Sequence, residues 1–437
     1  MLMRSIVVPA LAGLVLLVVS AGEALAQRPA PAQPSRDTTG GRIVSEQGEV
    51  IDTSRFHYDT VKVDTVRIDG DTVEQPIEEL SVETGPPWRL SYYPYVTGGS
   101  GEGPMLAARV RYSQPSEFED RVTYRGALSF EGAHGLRGSR YLRARFDAPL
   151  LRQGWRAMLM TQANRQTRFG FYGLGNDTEY DETLEGEGQE RYYDVTRTRY
   201  QLFGEVTRHL KGPFQAALLV GGEIARFTEQ EGLTLFESTV GPSVKENDLS
   251  ARLALLYDTR NNEFNPSSGM LAEVGVQGGT GGDGYQRVYG VARGYLPIAS
   301  LTMIAARIGA SSLSGTPTLN SRYELPTWNE TLSLYGGYDT NRGYRSGRFV
   351  GEDVLFGNLE VRHDAFAVGE LAFLTVLGFV DVGRVFEGES LSLGTEDLHW
   401  GAGGGLAIRL LRSTVFSGNV ARGSDGWRIS FSSGWAF

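Results

Sequence analysis

The stretch WRISFSSGWAF, residues 427–437, decides the fold class of this chain. Large apolar side chains recur at every second position, with Ser433 as the one interruption: Trp427, Ile429, Phe431, Trp435 and Phe437. A period of two is typical of a β-strand with one apolar face and one polar face. At a rise of about 3.3 Å per residue, a strand of this length can cross about 25 Å of hydrocarbon along a tilted path. The stretch therefore predicts a strand of a transmembrane β-barrel.

The composition agrees with a barrel built from such strands. The 437 residues include 57 Gly, 20 Tyr and 20 Phe, and the mean hydropathy is −0.24. After residue 26, no stretch approaches the length of a membrane-spanning helix. Strands that turn one face to lipid and the other to water produce this soluble-looking average. A soluble all-β protein, such as a sandwich with a buried edge strand, is the alternative.

The charge and the missing cysteine exclude several classes of function. A net charge of −10 argues against a broad nucleic-acid-binding surface, which would be basic. Without Cys, the chain has no disulfides and no thiolate metal sites. The five histidines are scattered and lie in no recognisable nucleophile motif: His57, His134, His209, His363 and His399. We therefore expect neither enzymatic activity nor a cofactor or metal site.

The N-terminal residues 1–26 have the pattern of a secretory signal peptide. Arg4 precedes an apolar run over residues 6–19, and Ala24-Leu25-Ala26 resembles a cleavage site. A single spanning helix is the alternative, but the run is shorter than the about 20 residues that a span requires. Residues 27–87 are polar and open with a Pro-rich run. We interpret them as a mostly disordered periplasmic tail with one hairpin around Asp69–Asp71.

From residue 88 to residue 437, segments of period two follow one another. We predict 16 antiparallel strands: 88–97, 104–113, 121–132, 138–150, 154–170, 191–209, 213–227, 248–259, 269–279, 285–296, 300–313, 353–364, 371–385, 400–411, 413–422 and 427–437. An even number puts both ends of the barrel in the periplasm. The longer polar connections then all lie outside: 171–190, 228–247, 314–352 and 386–399. This asymmetry of short turns and long loops is typical of outer-membrane barrels.

Three short motifs in the C-terminal half narrow the interpretation. Arg342-Gly343-Tyr344 lies in the longest predicted outer loop. Asn358-Leu359-Glu360-Val361-Arg362 follows on one strand, and Phe379-Val380-Asp381-Val382-Gly383 on the next. Their order and spacing resemble the BamA/TamA outer-membrane superfamily, also called the bacterial surface antigen family. Asp258-Thr259-Arg260 and residues 171–176 are similar to further segments of that family. The resemblance covers about residues 88–437 and implies an outer loop that docks in the lumen.

The residue pattern supports the same arrangement. Glu360 and Asp381 lie on neighbouring predicted strands, on the faces that carry polar residues, and both should therefore point into the lumen. An inward-folded loop could bring Arg342 between them, and Gly343 would let the backbone pass close to the wall. One alternative is that this cluster only holds the loop in place and carries no chemistry. Another is that the loop charges are solvated and unpaired.

The resemblance implies a barrel that helps insert polypeptides into the outer membrane or translocate them across it. The site of action would be a weakly paired seam between strands 88–97 and 427–437, and the last strand would also be the signal for barrel assembly. Expected partners are outer-membrane lipids, client outer-membrane proteins and the barrel-assembly machinery, but no nucleic acid. The family's periplasmic POTRA repeats are not recognisable in residues 27–87. The alternative function is a channel or structural barrel without clients.

Overall fold

The structure, a computed structural model, describes residues 43–44, 50–51, 63–68, 71–76, 86–97, 103–117, 120–185, 191–368, 372–389, 391–410 and 414–437. The expected signal peptide, residues 1–26, lies outside the described residues. Gln27–Pro87 forms one compact unit, and Trp88–Phe437 belongs to another.

The described residues of the unit Gln27–Pro87 include four short strands. They are β1 (Ile43–Val44), β2 (Val50–Ile51), β3 (Val63–Ile68) and β4 (Asp71–Pro76). β1 pairs with β2, and β3 pairs with β4, both antiparallel. The β3–β4 pair is the hairpin that the sequence predicts around Asp69–Asp71.

The larger unit is one antiparallel sheet of 16 strands. Its strands are β5 (Arg89–Thr97), β6 (Met105–Pro115), β7 (Tyr124–Gly135), β8 (Arg140–Arg152), β9 (Trp155–Gly170), β10 (Asp194–His209), β11 (Phe214–Glu229), β12 (Ser243–Asp258), β13 (Gly269–Gly279), β14 (Gly284–Ala299), β15 (Thr302–Thr316), β18 (Asp353–Val368), β19 (Ala372–Phe386), β20 (His399–Leu410), β21 (Thr414–Gly423) and β22 (Gly426–Ser433). Each strand pairs with the next one along the chain, and a separate hairpin, β16 (Glu324–Thr327) with β17 (Glu330–Ser333), interrupts the order once. The predicted barrel of 16 strands is confirmed.

Several strands are longer than the sequence predicts. β12 begins at Ser243 rather than at residue 248. The polar residues at its start still pair with β11; Lys245, for example, lies opposite Arg226. Such residues show no apolar alternation because they lie beyond the hydrocarbon layer, where both faces of a strand can be polar. The hydrogen-bonded ladder continues there without any signal in the hydropathy pattern.

The helices among the described residues are short and lie in the connections. α1 (Leu235–Thr239) and α2 (Leu319–Tyr323) each begin after a threonine whose hydroxyl accepts a backbone N–H, Thr234 and Thr318 respectively. A 3₁₀ turn covers Glu182–Glu185. In the described part of the chain, no helix is long and apolar enough to cross a membrane.

Connections differ in length between the two ends of the barrel. The end with β8–β9 and β14–β15 has tight turns and is called here the short-turn end; the other, which carries residues 317–352 between β15 and β18, is called the long-loop end. Outward-facing side chains on the strands are mainly apolar, and inward-facing ones include most of the buried arginines and carboxylates. The buried charges therefore lie mainly in the interior, and the outer surface is apolar, as a bilayer requires.

The last strand ends earlier than predicted. β22 stops at Ser433, and at Gly434 the backbone takes a φ of +136°. Trp427 and Phe431 lie exposed on the outer face, whereas the ring of Phe437 is buried inside the barrel beside Arg307 and Tyr295. The prediction that strand 427–437 continues to its last residue is wrong. Its final residues turn inward, because a glycine permits the turn and interior cations lie over the aromatic rings.

Candidate functional site

The connection between β15 and β18 folds into the barrel interior. Hairpin β16–β17 and the residues after it carry apolar side chains that pack against the wall: Leu325, Leu332, Leu334, Tyr335, Tyr344 and Phe349. Their wall partners come from β18 and β19 and include Val354, Phe356 and Val385. The inward-facing side chains of β18 and β19 are apolar near the long-loop end and charged nearer the short-turn end. The loop therefore makes apolar contacts with the first part of the wall and ionic contacts with the second.

Arg342 lies between two carboxylates of the wall. Its Nε and Nη2 donate to Asp381 Oδ2 and Oδ1 at 2.9 and 2.7 Å, and its backbone N–H donates to Oδ2 at 2.9 Å. Its Nη1 donates to Glu360. All three side chains are at least 97% buried. The guanidinium also stacks on Phe379, 3.5 Å from the ring centroid, which is a close cation–π contact.

Other donors complete the coordination of both carboxylates. Asn358 donates to Asp381 Oδ1 at 2.7 Å and to the carbonyl of Thr340 at the same distance. Arg362 Nε donates to Glu360 Oε2 at 2.7 Å. Burial by itself would lower the pKa of Arg342, but the hydrogen bonds and charge of Asp381, and then those of Glu360, hold that pKa above its ordinary value. With two guanidiniums facing two carboxylates, the cluster is neutral and suits the holding of a loop rather than proton transfer.

Glycines allow the loop backbone to lie directly on the wall. A Cβ on Gly343 would lie 2.8 Å from the Cα of Gly401 and 3.0 Å from the carbonyl of Arg422. A Cβ on Gly383 would lie 2.4 Å from the carbonyl of Leu355. No side chain fits at either position, so the motif glycines are required by close backbone approach.

Tyr344 completes the motif and faces the last strands of the barrel. Its ring is buried, with the rings of Phe349 and His399 at 5.2 and 5.8 Å. Its hydroxyl accepts hydrogen bonds from the backbone and side chain of Ser424 in the β21–β22 turn. The structure thus brings together all seven residues named for loop docking: Arg342, Gly343, Tyr344, Glu360, Phe379, Asp381 and Gly383.

A family model, the Omp85 superfamily domain, matches residues 96–412. The chain belongs to the Omp85 superfamily. The match begins in β5 and ends before β21, and it therefore includes every member of the Arg342 cluster. The predicted resemblance to the BamA/TamA superfamily is confirmed. No curated protein matches the chain.

Solved structures show the same fold for this Omp85 barrel. BamA from Haemophilus ducreyi, lacking POTRA domains 1–3, is 14% identical with a TM-score of 0.51, and the match covers 86% of this chain and 74% of that one. CdiB from Escherichia coli is 12% identical with a TM-score of 0.52, covering 86% and 67%. CdiB from Acinetobacter baumannii is 12% identical with a TM-score of 0.50, covering 85% and 64%. At these identities the likeness concerns the fold alone.

The connection between β15 and β18 has a second anchor, at the tip of hairpin β16–β17, that was not predicted from the sequence. Trp328 is buried near the short-turn end, where its indole Nε1 donates to Thr207 Oγ1 at 3.0 Å. Its backbone N–H donates to both oxygens of Glu273, each at 3.0 Å. A tryptophan within an otherwise polar predicted loop, next to Asn329, was the available signal. Its partners are more than 50 residues away in sequence, so no local pattern indicates them.

The two further family-like segments also lie at ordered sites in the barrel. Asp258 and Arg260 form a two-bond ion pair in the β12–β13 turn, with Nε–Oδ1 and Nη2–Oδ2 distances of 3.0 Å, and Arg121 lies 2.8 Å from the same carboxylate. Asn176 accepts the backbone N–H of Val385 and donates to the carbonyl of Asp397. Among the described residues, no group of His, Asp or Glu is arranged to hold a metal ion.

Proposed function

We propose that this Omp85 barrel assists the insertion or translocation of polypeptides at the outer membrane. The observation that carries the proposal is an unpaired seam. The order of the 16-stranded sheet ends at β5 on one side and at β22 on the other, and no ladder joins these two strands among the described residues. Both strands therefore present backbone donors and acceptors to which a client strand can add.

Sequence features weaken pairing along the seam further. Pro94 removes one ladder donor from β5. On β22, the inward turn at Gly434 removes the last four residues from the strand, which shortens the edge toward the short-turn end. Outward side chains on both edges are apolar and exposed, such as Tyr92 and Phe431. An incoming strand with alternating apolar residues would match this surface.

Membership in the Omp85 superfamily supports the proposal, since insertion and translocation are what the resemblance implies. In this interpretation the short-turn end faces the periplasm, residues 27–87 form a periplasmic tail, and residues 1–26 are removed on export. Clients would be outer-membrane proteins, and the assembly machinery would recognise β22 through Trp427, Ile429 and Phe431. Lipid would cover the apolar outer face of the barrel.

Depletion of the protein in its host, followed by quantification of the other outer-membrane proteins, tests the proposal. We expect specific outer-membrane proteins to fall in abundance, and an unchanged outer-membrane proteome would contradict the function. A disulfide across the seam gives the mechanistic test. Because the chain has no cysteine of its own, two introduced cysteines can pair only with each other. Cysteine pairs placed in β5 and β22 should abolish complementation when oxidised and restore it when reduced.

A second cysteine pair controls for the disulfide itself. Leu159 and Gly204 lie directly opposite each other on the paired strands β9 and β10. The double variant Leu159→Cys, Gly204→Cys should complement equally well when oxidised and reduced. If the oxidised seam pair also complements fully, opening of the seam is not part of the function.

A further inference from the structure

Four cationic side chains form one row on the outer face of the barrel, near the long-loop end. They are Arg140 on β8, Arg165 on β9, Arg226 on β11 and Lys245 on β12, and all four are exposed. Arg140 lies directly opposite Arg165, and Arg226 lies directly opposite Lys245. Thr198 on β10 is the register partner of both Arg165 and Arg226, and it joins the two pairs. The four cations are therefore at one level of the wall.

Both register pairs bring like charges together, which destabilises a sheet unless a counter-charge is present. Among the described residues, none of the four cations has a carboxylate or another side-chain partner. Other arginines at the long-loop end do have such partners. Arg345 lies 3.1 Å from Glu185, and Arg384 lies 3.8 Å from Asp397. Although the whole chain has a net charge of −10, the counter-charge for this row has to come from another molecule.

The outer face next to the row, toward the middle of the wall, is apolar. Leu142, Tyr200 and Ile224 lie at the adjacent level, and their exposed fractions are 65%, 57% and 46%. Leu202 and Leu249 continue the apolar surface one level further. A charged side chain costs little near the bilayer interface and much at the midplane. The row therefore lies at the level of the lipid head groups, and the apolar patch lies at the level of the hydrocarbon chains.

We propose that the row binds the phosphate groups of anionic lipids in the leaflet at the long-loop end, and that the lipid chains cover the apolar patch. Each like-charged pair presents two cations to one phosphate, and a guanidinium can donate two parallel hydrogen bonds to such a group. With strands about 4.8 Å apart, the centres of the two pairs are about 14 Å apart. One phosphate cannot bridge that distance, so the row provides two sites.

The lipid site lies on the outer wall formed by β8–β12, away from the seam between β5 and β22 and away from the lumen. With the short-turn end in the periplasm, as proposed above, the lipids belong to the leaflet on the cell-surface side. The row would then fix the height and tilt of this wall in the membrane. Failure of this proposal would leave the proposed handling of polypeptides untouched, because the depletion and disulfide experiments involve none of the four cations.

Native mass spectrometry of the full-length barrel in neutral detergent, titrated with phosphatidylglycerol, tests the proposal. We expect two phosphatidylglycerol molecules to be retained more tightly than phosphatidylcholine, and high salt to weaken their binding. The double variant Arg140→Gln, Arg165→Gln should weaken binding at one of the two sites by about tenfold, because each cation near an anionic lipid contributes to the affinity. Arg226→Gln, Lys245→Gln should do the same at the other site.

The double variant Arg152→Gln, Lys211→Gln is the matched control. It removes the same charge from exposed positions at the short-turn end, where Arg152 ends β8 and Lys211 lies in the β10–β11 turn. We expect it to bind phosphatidylglycerol as the wild type does. All three double variants should keep the wild-type transition temperature on gels, since none of these side chains supports the fold. An equal loss of lipid in the control would show attraction by net charge alone and would overturn the proposal.

Inorganic phosphate distinguishes a lipid site from a site for soluble anions. Only a lipid adds contacts with Leu142, Tyr200 and Ile224 to those of its phosphate, so we expect phosphate at the same concentration to leave phosphatidylglycerol bound. Displacement of the lipid by equimolar phosphate would overturn the lipid assignment. Equal retention of phosphatidylcholine and phosphatidylglycerol, or full retention of phosphatidylglycerol by both row variants, would overturn it as well.

Discussion

Arg342 is held by two carboxylates on adjacent strands, Glu360 on β18 and Asp381 on β19. Asp381 and Asn358 are register partners on β19 and β18, and Glu360 lies two residues along β18 from Asn358. Since residues two apart on a strand share a face, these side chains converge on one point in the interior. Removing a charge from water is costly, and here each buried charge regains hydrogen bonds from an oppositely charged neighbour. The cluster therefore stabilises one loop position strongly and becomes unfavourable if one member is removed.

Arg342→Ala should destabilise the barrel by about 3–5 kcal/mol, because it leaves two buried carboxylates with fewer donors. Arg342→Lys should recover only part of the loss, since an ammonium cannot make the two-bond contact with Asp381. The temperature at which the fast-migrating folded form disappears on gels measures the effect. Arg226→Ala, at an exposed position, is the control. A normal transition temperature for Arg342→Ala would show that the cluster does not hold the loop.

Gly343→Ala should also lower the transition temperature, by an amount that corresponds to about 1–3 kcal/mol. The added methyl would meet the backbone of Gly401 and Arg422, and backbone cannot move aside as a flexible side chain can. Gly378→Ala is the matched substitution, because a Cβ there meets nothing within 4 Å. Equal transition temperatures for the two variants would contradict the close backbone contact.

At the scale of elements, the end of β22 shows how one glycine redirects a strand. Gly434 has a φ of +136°, which side chains other than glycine rarely adopt. Beyond it, Trp435 Nε1 donates to Asn265 at 2.9 Å, and Arg362 donates to the backbone oxygen of Phe437 at 3.0 Å. Tyr338 of the folded-in loop donates to the carbonyl of Gly434 at 2.9 Å. The inward turn thus links the edge of the seam to the same loop that carries Arg342.

Gly434→Ala should destabilise this turn by about 1–3 kcal/mol through backbone strain alone, because a Cβ at this position meets no atom within 4 Å. We expect Trp435 to leave its interior position, which a shift in tryptophan fluorescence or new protease cleavage near the end of the chain would report. Gly378→Ala again serves as the control, since its φ needs no glycine. If neither signal changes in Gly434→Ala, the inward turn is not maintained by this residue.

At the scale of the whole molecule, stability comes from a ladder that joins 16 strands in sequence order. Every strand except the two at the seam has a partner on both sides, so the barrel should resist detergent until heated. Unboiled protein should therefore migrate faster on gels than boiled protein. Identical migration of the two samples would argue against a folded barrel in detergent.

Much of the barrel could be predicted from sequence because strand side chains alternate between lipid and lumen. The alternation located all 16 strands, and it placed Glu360 and Asp381 on inward faces, where the structure also has them. It failed at strand ends such as Ser243, where both faces are polar and no periodic signal exists. The position of Arg342 relative to the strands came from the family resemblance, since periodicity does not describe loops.

The sequence by itself determined the barrel: its number of strands, its apolar outer face and its charged interior all follow from the period-two geometry of each strand. Only the tertiary structure decided how the interior is filled. Trp328 meets Thr207 across 121 residues of sequence, and Arg362 meets Phe437 across 75. Contacts of this kind depend on which strands the curved sheet brings face to face, and the hydropathy pattern along the chain does not indicate this. The last residues of the stretch 427–437 therefore have a strand pattern in the sequence and an interior position in the fold.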